Sequence, residues 1–330
     1  MFCLSAATSD TTAKAKCKGL DVKTPVAFLI FNRPDTTEQV FAAIRRARPP
    51  MLLVVADGPR ADCSGEAAQC AAARAVIAQV DWPCKVLKNY SDVNLGCKQR
   101  IASGLDWVFR EVEEAIILED DCLPHPDFFP FCEKLLERYR DDERVMMIGG
   151  TNYLLDKLDI PESYCFSRYF PIWGWASWRR AWAMYDINMK EWPRLKAEGH
   201  LRSLYGQWYM RRHLTKAFDA TYAGRINTWD TQWFYSCLFN SGLSIIPRRN
   251  MISNIGTIGA HAGGYSANNF FPVFPCAIDQ LIHPKYVHPH QLYDQPFFSK
   301  QFGVRPASCA RSLAWFLRKR LRLITGGGKP

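Results

Sequence analysis

The chain has 330 residues, 48% apolar and 22% charged, so it can bury a full core, and this composition excludes collagen-like and intrinsically disordered chains. The formal net charge is +10, but eight Lys and Arg residues follow the last acid, Asp294, so the rest of the chain carries only +2. A near-neutral body argues against a general nucleic-acid surface, and the sequence has no zinc-finger, RNP or KH pattern, so we expect no nucleic-acid partner.

The N-terminal region and the cysteines both indicate a cytoplasmic protein. Residues 1–23 are rich in Ser, Thr, Lys and Ala and lack the apolar run of a signal peptide, and no later segment is apolar enough to span a membrane. We therefore expect a loose N-terminal tail and reduced thiols for the twelve cysteines, which include no CxxC pair. Cys122 is interpreted as a small packing residue.

The first half of the chain alternates strand and helix patterns. Buried strands are predicted over 25–31, 51–56, 85–87, 115–118 and 145–148, and helices from residue 35 and over 66–80, 98–113 and 126–140. This alternation predicts an α/β fold with a mainly parallel sheet and helices on both faces. In such sheets, ligands bind beyond the carboxyl ends of the strands.

Charged residues follow three of the predicted strands. Arg33 follows the first strand and Asp57 the second, and the fourth ends in Glu119, Asp120 and Asp121, so we expect these side chains to share one rim of the sheet. Three adjacent carboxylates repel each other unless a cation lies among them, and a hard divalent ion takes oxygen ligands. The alternatives are a solvated acidic turn for the three acids and a simple Asp-Gly-Pro turn for Asp57.

Two common nucleotide-binding patterns do not occur. The sequence has no Walker lysine loop and no GxGxxG after a strand, which disfavours a P-loop NTPase and a dinucleotide oxidoreductase. A nucleotide would then have to be held by a metal, an arginine and an aspartate, an arrangement that suits an enzyme of nucleotide sugars.

The second half of the chain is less regular. It contains Trp229-Asp230, a helix that continues through Leu238, a predicted strand near 243–246 and a Gly-rich stretch over 255–264, with no linker or internal repeat. Trp229-Asp230 also fits a buried Trp beside a helix cap.

The segment 311–324 places apolar residues along one helical face and arginines on another. A basic amphipathic helix is typical of binding to an anionic membrane surface, and the alternative is a helix packed on the domain with solvated arginines.

Several short motifs occur in order between residues 25 and 264: Phe31-Asn32-Arg33-Pro34, Ala56-Asp57-Gly58, Glu119-Asp120-Asp121 with Pro126-Asp127-Phe128-Phe129, Tyr169-Phe170-Pro171 with Gly174-Trp175, and Trp229-Asp230. With these motifs the chain resembles the GT-A fold glycosyltransferases, and most closely a bacterial branch similar to eukaryotic N-acetylglucosaminyltransferase I. The resemblance implies a Rossmann-like α/β domain with a less regular acceptor-side C-terminal part. Its nucleotide-sugar-binding half would cover 24–150 and its acceptor and catalytic-base half 151–310, between a loose tail over 1–23 and a basic amphipathic tail over 311–330.

The resemblance also implies roles for individual residues. Arg33, Asp57 and Arg100 would bind the nucleotide, with Asp57 near the uracil, and Glu119 and Asp120 would contact the ribose and the sugar. Asp121 would ligate Mn2+ or Mg2+, and His261 would be a late ligand of the metal or the phosphate, although its flanking Gly and Ala residues depart from the family pattern. Asp230 would be the catalytic base, and Trp229 would form a wall beside the transferred sugar.

The implied activity is a metal-dependent, inverting transfer of a sugar from a UDP-sugar to an acceptor hydroxyl. The acceptor would be a glycan or lipid-linked glycan in the synthesis of a bacterial surface polysaccharide or lipopolysaccharide. The protein would then be cytoplasmic, with peripheral contact to the inner face of the membrane through the C-terminal tail. A sugar nucleotidyltransferase and a catalytically inactive carbohydrate-binding module with the same fold are the alternatives.

Overall fold

The computed structural model describes residues 21–256 and 271–302, with side chains as far as Lys300. His261 and the tail over 311–330 lie outside the described residues, as does most of the predicted N-terminal tail. At the end of that tail, Val22 is buried at 3% exposure and its amide donates to the carbonyl of Ala47 at 3.1 Å, so the packed chain begins before residue 24.

The described residues form ten strands and ten α-helices. The strands are β1 Val26–Ile30, β2 Met51–Ala56, β3 Lys85–Tyr90, β4 Glu114–Glu119, β5 Cys122–Pro124, β6 Val145–Gly149, β7 Tyr164–Ser167, β8 Trp175–Trp178, β9 Leu243–Pro247 and β10 Ile252–Asn254. The helices are α1 Pro34–Ala47, α2 Glu66–Val76, α3 Gly96–Glu111, α4 Phe128–Arg138, α5 Arg179–Trp182, α6 Trp192–Ala197, α7 Leu201–Leu204, α8 Trp208–Tyr222, α9 Asp230–Phe239 and α10 Gln291–Phe302.

Eight of the strands form one sheet in the order β3-β2-β1-β4-β8-β6-β9-β7. Strands β3, β2, β1 and β4 are parallel neighbours, and β6 and β9 run in the same direction as these four. Strands β8 and β7 run the opposite way. The predicted α/β class with a mainly parallel sheet is therefore confirmed, and the arrangement is consistent with a Rossmann-like GT-A fold.

Helices cover both faces of the sheet because its strands are apolar on both sides. In β1, Val26, Phe28 and Ile30 pack in one core cluster with α1 and α4, whereas Ala27 and Leu29 pack in a second cluster with α3 and α9. The side chains of a strand point alternately to opposite faces, so a continuous apolar run feeds both clusters. A third cluster joins α6, α8, α9 and α10 beside the β7 edge.

Three features were not predicted, and one of them is the edge strand β7, which pairs with β9. Strand β8 lies between β4 and β6, antiparallel to both. A separate two-stranded sheet pairs β5, which follows the three acids directly, with β10, and the amide of Ile255 donates to the carbonyl of Asp121 at 2.8 Å. This two-stranded sheet brings a late part of the chain onto the rim that the acids occupy. No helix in the described ranges is long and apolar enough to span a bilayer.

Candidate active site

The three acids lie where β4 ends, beside Arg33 at the start of α1. The guanidinium of Arg33 donates through Nη1 to Asp121 Oδ2 at 2.7 Å, and through Nη2 it pairs with Asp120. The amide of Phe31 donates to the other oxygen of Asp120 at 3.1 Å. Strands β1 and β4 are parallel neighbours, so their carboxyl ends meet and bring these residues together as expected.

Burial and charge oppose each other in this cluster. Burial raises the pKa of Asp120 to about 6, although the attraction of Arg33 works in the other direction. Burial alone would lower the pKa of Arg33, but Asp120 and Asp121 outweigh it and hold the pKa above its usual value. Arg33 is therefore charged and forms ion pairs with two carboxylates at once.

Glu119 has no such partner. Burial, and then the negative charges of Asp121 and Asp120, raise its pKa to about 8. Among the described residues, its Oε1 is buried and meets no hydrogen-bond partner. One arginine therefore faces three carboxylates, and the rim has room for a further positive charge.

The chain after β10 closes over the ion pair of Arg33 with Asp121. A Cβ atom on Gly256 would lie 2.4 Å from Asp121 Oδ2 and 2.9 Å from Arg33 Nη1. Glycine is therefore the residue that lets the backbone pass this close. Sequence reasoning did not single out Gly256, and its place in the Gly-rich stretch was the only signal.

Asp57 organises the start of α3. Its Oδ1 accepts from the amides of Gly58 and Leu95, both at 2.9 Å, and its Oδ2 accepts from the amide of Gly96 at 3.0 Å. The amides of Leu95 and Gly96 lie at the positive end of α3, where a carboxylate is favoured. The turn role left open for Asp57 is thus present in the structure, and its contact with a nucleobase stays a prediction.

Arg100 is buried and joins the ends of β2 and β3. Its Nε donates to the carbonyl of Ala56 at 3.1 Å, and its Nη2 donates to Asn89 Oδ1 at 2.7 Å. Burial lowers the pKa of Arg100, and the nearby charge of Asp57 partly offsets this. These protein acceptors engage the guanidinium, so a role on the nucleotide stays a prediction.

Trp229 and Asp230 stand at the start of α9. Trp229 is 2% exposed and stacks on Trp175, with ring centroids 5.8 Å apart and planes at 22°. The Asp230 carboxylate accepts from the amide of Thr231 at 2.6 Å and from the hydroxyl of Thr228, both through Oδ1. Within the described chain these bonds leave Oδ2 for another partner. Thr228, which the sequence pattern did not reveal, orients the carboxylate.

Cys97, in the first turn of α3, lies near acids from three separate parts of the sequence. Burial raises the pKa of its thiol to about 12, and the charges of Glu119, Asp230 and Asp57 add to the increase. The side chain is nevertheless exposed to solvent. Three carboxylates from distant parts of the sequence, Asp57, Glu119 and Asp230, therefore lie close enough for their charges to act on one exposed thiol. Cys122 is fully buried and packs as expected.

The residues fit a divalent cation in part. No three His, Cys, Asp or Glu side chains in the described ranges form a group that could hold a metal alone, and His261 lies outside those ranges. Glu119 and Asp121 nevertheless offer hard oxygens, and a cation between them would offset the burial and repulsion that raise the pKa of Glu119. A magnesium-like ion commonly takes one or two carboxylates and completes its shell with water and substrate phosphate. The rim therefore fits a cation shared with a phosphate-bearing ligand better than a protein-only cage.

Comparisons with protein-family models and with curated proteins found no match. Among solved structures, the chain is similar to the mannosyltransferase PcManGT from Pyrobaculum calidifontis, solved with GDP-Man and Mn2+. The identity is 14%, the match covers 52% of this chain and about half (54%) of that one, and the TM-score is 0.32.

Two further solved structures are similar to about the same degree. Mouse xyloside xylosyltransferase 1, in its apo form, is 12% identical, with 64% of this chain and 81% of that chain covered and a TM-score of 0.30. The inositol-1-phosphate CTP transferase from T. maritima is 9% identical, with 50% and 75% covered and a TM-score of 0.30. At such scores, the case for an activity rests on the residues of the rim themselves.

Proposed function

We propose that the chain is a glycosyltransferase that moves a sugar from a nucleoside-diphosphate sugar, with UDP as the first expectation, to an acceptor hydroxyl. The observation that carries this proposal is the rim itself. Three acids and Arg33 at the end of β4 stand beside Asp230 at the start of α9, and the charge of Asp230 contributes to the raised pKa of Glu119.

The proposed base is Asp230. Thr228 and Thr231 hold its Oδ1, so Oδ2 is free to accept the proton of an acceptor hydroxyl. As the hydroxyl oxygen attacks the anomeric carbon its proton becomes acidic, and a fixed carboxylate can take it. The bond from that carbon to the diphosphate oxygen breaks on the opposite side, so we propose inversion at the anomeric carbon.

Charge on the departing diphosphate needs compensation. Among the described residues, Arg33 is the cation that pairs with the acids at the end of β4, and its side chain is 30% exposed although it pairs with two of them. A divalent cation bound at Asp121 would neutralise the developing phosphate charge when present. Asp120, at 3% side-chain exposure, is better placed to orient Arg33 than to reach a ligand.

The finer parts of the proposal rest on the sequence motifs. They are Mn2+ as the cation, a glycan or lipid-linked glycan as acceptor, and a place in bacterial surface polysaccharide or lipopolysaccharide synthesis at the inner face of the membrane. Asp57, Arg100, Trp229 and His261 keep the nucleotide, sugar and phosphate roles implied by the resemblance.

The test is release of nucleoside diphosphate from a panel of UDP-sugars and GDP-mannose, with and without Mn2+ and with water as acceptor. We expect Mn2+-dependent release from one donor and its loss in Asp121→Ala. In Asp230→Asn the amide keeps an oxygen for Thr228 and Thr231 but cannot take a proton, so the rate should fall about 10²- to 10⁴-fold with little change in nucleotide affinity. The exposed Asp141→Ala serves as the matched control and should leave release unchanged.

Three results would contradict the proposal. Calorimetry that finds no metal-dependent binding of UDP or GDP would remove the nucleotide site. Release of pyrophosphate from a nucleoside triphosphate and a sugar 1-phosphate would identify a nucleotidyltransferase instead. Retention of the anomeric configuration in the product would overturn the role of Asp230 as base.

A further inference from the structure

One side of α8 is exposed and carries both cations and aromatic rings. The helix buries Met210, Leu214, Phe218 and Thr221. Trp208, Arg212 and Lys216 recur at intervals of four and lie on one side of the helix, and Tyr222 is exposed at its last residue. Together with two exposed residues in the loop that follows, they form what we call the α8 face: Trp208, Arg212, Lys216, Tyr222, Arg225 and Ile226.

The positive charge of the α8 face is not compensated. No carboxylate of the described chain lies within ion-pair distance of Arg212, Lys216 or Arg225. The one acid within the same stripe, Asp219, accepts from Lys196 Nζ at 2.8 Å and from Trp192 Nε1 at 3.0 Å. Lys196 and Trp192 thus take up most of its charge and the charge of Arg225 also acts on it, while Arg212 and Lys216 have no acid partner in the described chain.

The apolar part of the α8 face is large for a solvated helix. Trp208 is 39% exposed, Tyr222 49% and Ile226 39%, and these are three of the nine large apolar side chains exposed in the described residues. Trp and Tyr are the side chains enriched at the interface between lipid and water. Lys and Arg beside them are typical of helices that lie on an anionic bilayer.

The α8 face borders the loop that leads to the proposed base. The loop that carries Arg225 and Ile226 runs directly into Trp229 and Asp230. In the same loop, Asn227 Nδ2 lies 3.7 Å from the Cβ position of Gly96, whose amide donates to Asp57. A surface that binds this loop would therefore lie beside the proposed base and the start of α3.

We propose that the α8 face docks on a bilayer of anionic phospholipid and so places the loop before Asp230 at the membrane surface. The charge of the face is complementary to such a surface, and its rings match the interfacial layer. The inference goes beyond the proposed function, because it concerns a surface outside the reacting groups and does not require transferase activity.

The experiment is sedimentation of the full chain with vesicles of phosphatidylcholine containing phosphatidylglycerol, in 50 mM and 300 mM salt. Each Lys or Arg near an anionic leaflet strengthens binding roughly fivefold, so Arg212→Gln, Lys216→Gln and Arg225→Gln together should weaken it roughly 100-fold at low salt. A second variant, Trp208→Ser with Tyr222→Ser, should weaken the binding that persists at high salt.

The matched control removes three exposed cations elsewhere: Arg46→Gln at the end of α1, Lys88→Gln on β3 and Arg110→Gln near the end of α3. Both triple variants lose the same charge and keep the basic C-terminal segment, so a difference between them belongs to the α8 face. Equal weakening in the two would overturn the proposal in favour of net charge or the C-terminal segment.

The remaining outcomes are equally decisive. A wild-type chain that does not sediment with anionic vesicles would overturn the proposal, as would binding to a soluble acidic polysaccharide in place of vesicles. Release of nucleoside diphosphate in solution should be unchanged in the α8-face variants. Lost vesicle binding with intact release separates this inference from the proposed function.

Discussion

At the scale of single residues, the rim is governed by a shortage of positive charge. Arg33 serves Asp120 and Asp121, while Glu119 keeps a buried oxygen without a partner. Such a cluster costs stability in the absence of a ligand and gains most when a cation or a cationic complex arrives. The arrangement is typical of a site whose charge balance is completed by its substrate.

Removal of Arg33 tests this balance. In Arg33→Met, the 3% exposed Asp120 would lose its cationic partner and its pKa would rise further, so we expect the free energy of unfolding to fall by about 2–4 kcal/mol. Adding Asp120→Asn should recover much of the loss, since the amide can still accept from Phe31. Urea unfolding in the presence of EDTA measures the free energy of unfolding of the single and the double variant.

Arg45→Met is the matched control, because Arg45 pairs with Asp81 at the surface, where both side chains are about half exposed. Exposed pairs contribute at most about 1 kcal/mol. If Arg33→Met lowers the free energy of unfolding by no more than Arg45→Met does, the buried ion pair of Arg33 does not stabilise the folded chain.

The sequence was sufficient to place Arg33, Asp57 and the acids on one rim, because each directly follows a strand. The sequence did not reveal the hydrogen-bond partners of these side chains. The bonds from Asp57 to Leu95 and Gly96 depend on how a loop folds back, which leaves no periodic pattern. Thr228 and Gly256 were likewise invisible, because their contacts are set by the tertiary fold.

At the scale of elements, long apolar runs were the reliable signal. Strand β2 was predicted over its full range, and β4 and β6 to within one residue at either end. Strand β8 was missed because Trp175–Trp178 is short, buried on both sides and rich in Trp, which fits a buried helix equally well. The pairing of β5 with β10 was missed because each has only three residues.

The turn after β2 shows how closely one element constrains another. A Cβ atom on Gly58 would lie 2.5–2.6 Å from the backbone N, C and O atoms of Val93. Since backbone cannot rotate away as a side chain can, Gly58→Ala should lower the free energy of unfolding by about 1–3 kcal/mol. It should also loosen the turn that supplies Leu95 and Gly96 to Asp57.

Gly206→Ala is the control for this prediction, because nothing lies within 4 Å of its Cβ position. We expect it to change stability by less than about 0.5 kcal/mol. Thermal and urea unfolding of the two variants provide the comparison. Equal stability of the Gly58 and Gly206 variants would show that residues 91–95 adapt freely.

At the scale of the whole molecule, α10 is tied to the far edge of the sheet by a buried acid. Asp294 accepts from the hydroxyl of Ser167 at 2.6 Å, at the end of β7. Burial raises the pKa of Asp294 to about 6, although the bonds from Ser167 and Arg168 favour its charged form. This contact makes the stability of the third core cluster depend on pH.

The sign of this dependence follows from the direction of the shift. Between pH 4 and pH 6 the unfolded chain releases the proton of Asp294 while the folded chain keeps it, so the free energy of unfolding falls as the pH rises. The loss is about 3 kcal/mol at most, of which about 1 kcal/mol falls between pH 5 and pH 7.5. Asp294→Asn should remove this contribution of residue 294 to the pH dependence of the free energy of unfolding.

Urea unfolding of wild type and Asp294→Asn at pH 5 and pH 7.5 measures the difference, and other titrating groups cancel between the two chains. A wild type that gains stability relative to the variant as the pH rises would reverse the sign and place Asp294 in a favourable ion pair.

The position of β8 also has a consequence for synthesis. During translation, β4 emerges with β1 as a neighbour on one side, while its other edge stays open until residues 175–178 have left the ribosome. Strand β6 must wait for the same residues, and then for β9 near residue 245, before both its edges are covered. An open edge of parallel strands is a site for pairing with other chains. A fragment that stops at residue 150 would therefore present a sticky half-sheet, and the part of the chain up to residue 150 cannot be separated from the part after it by simple truncation.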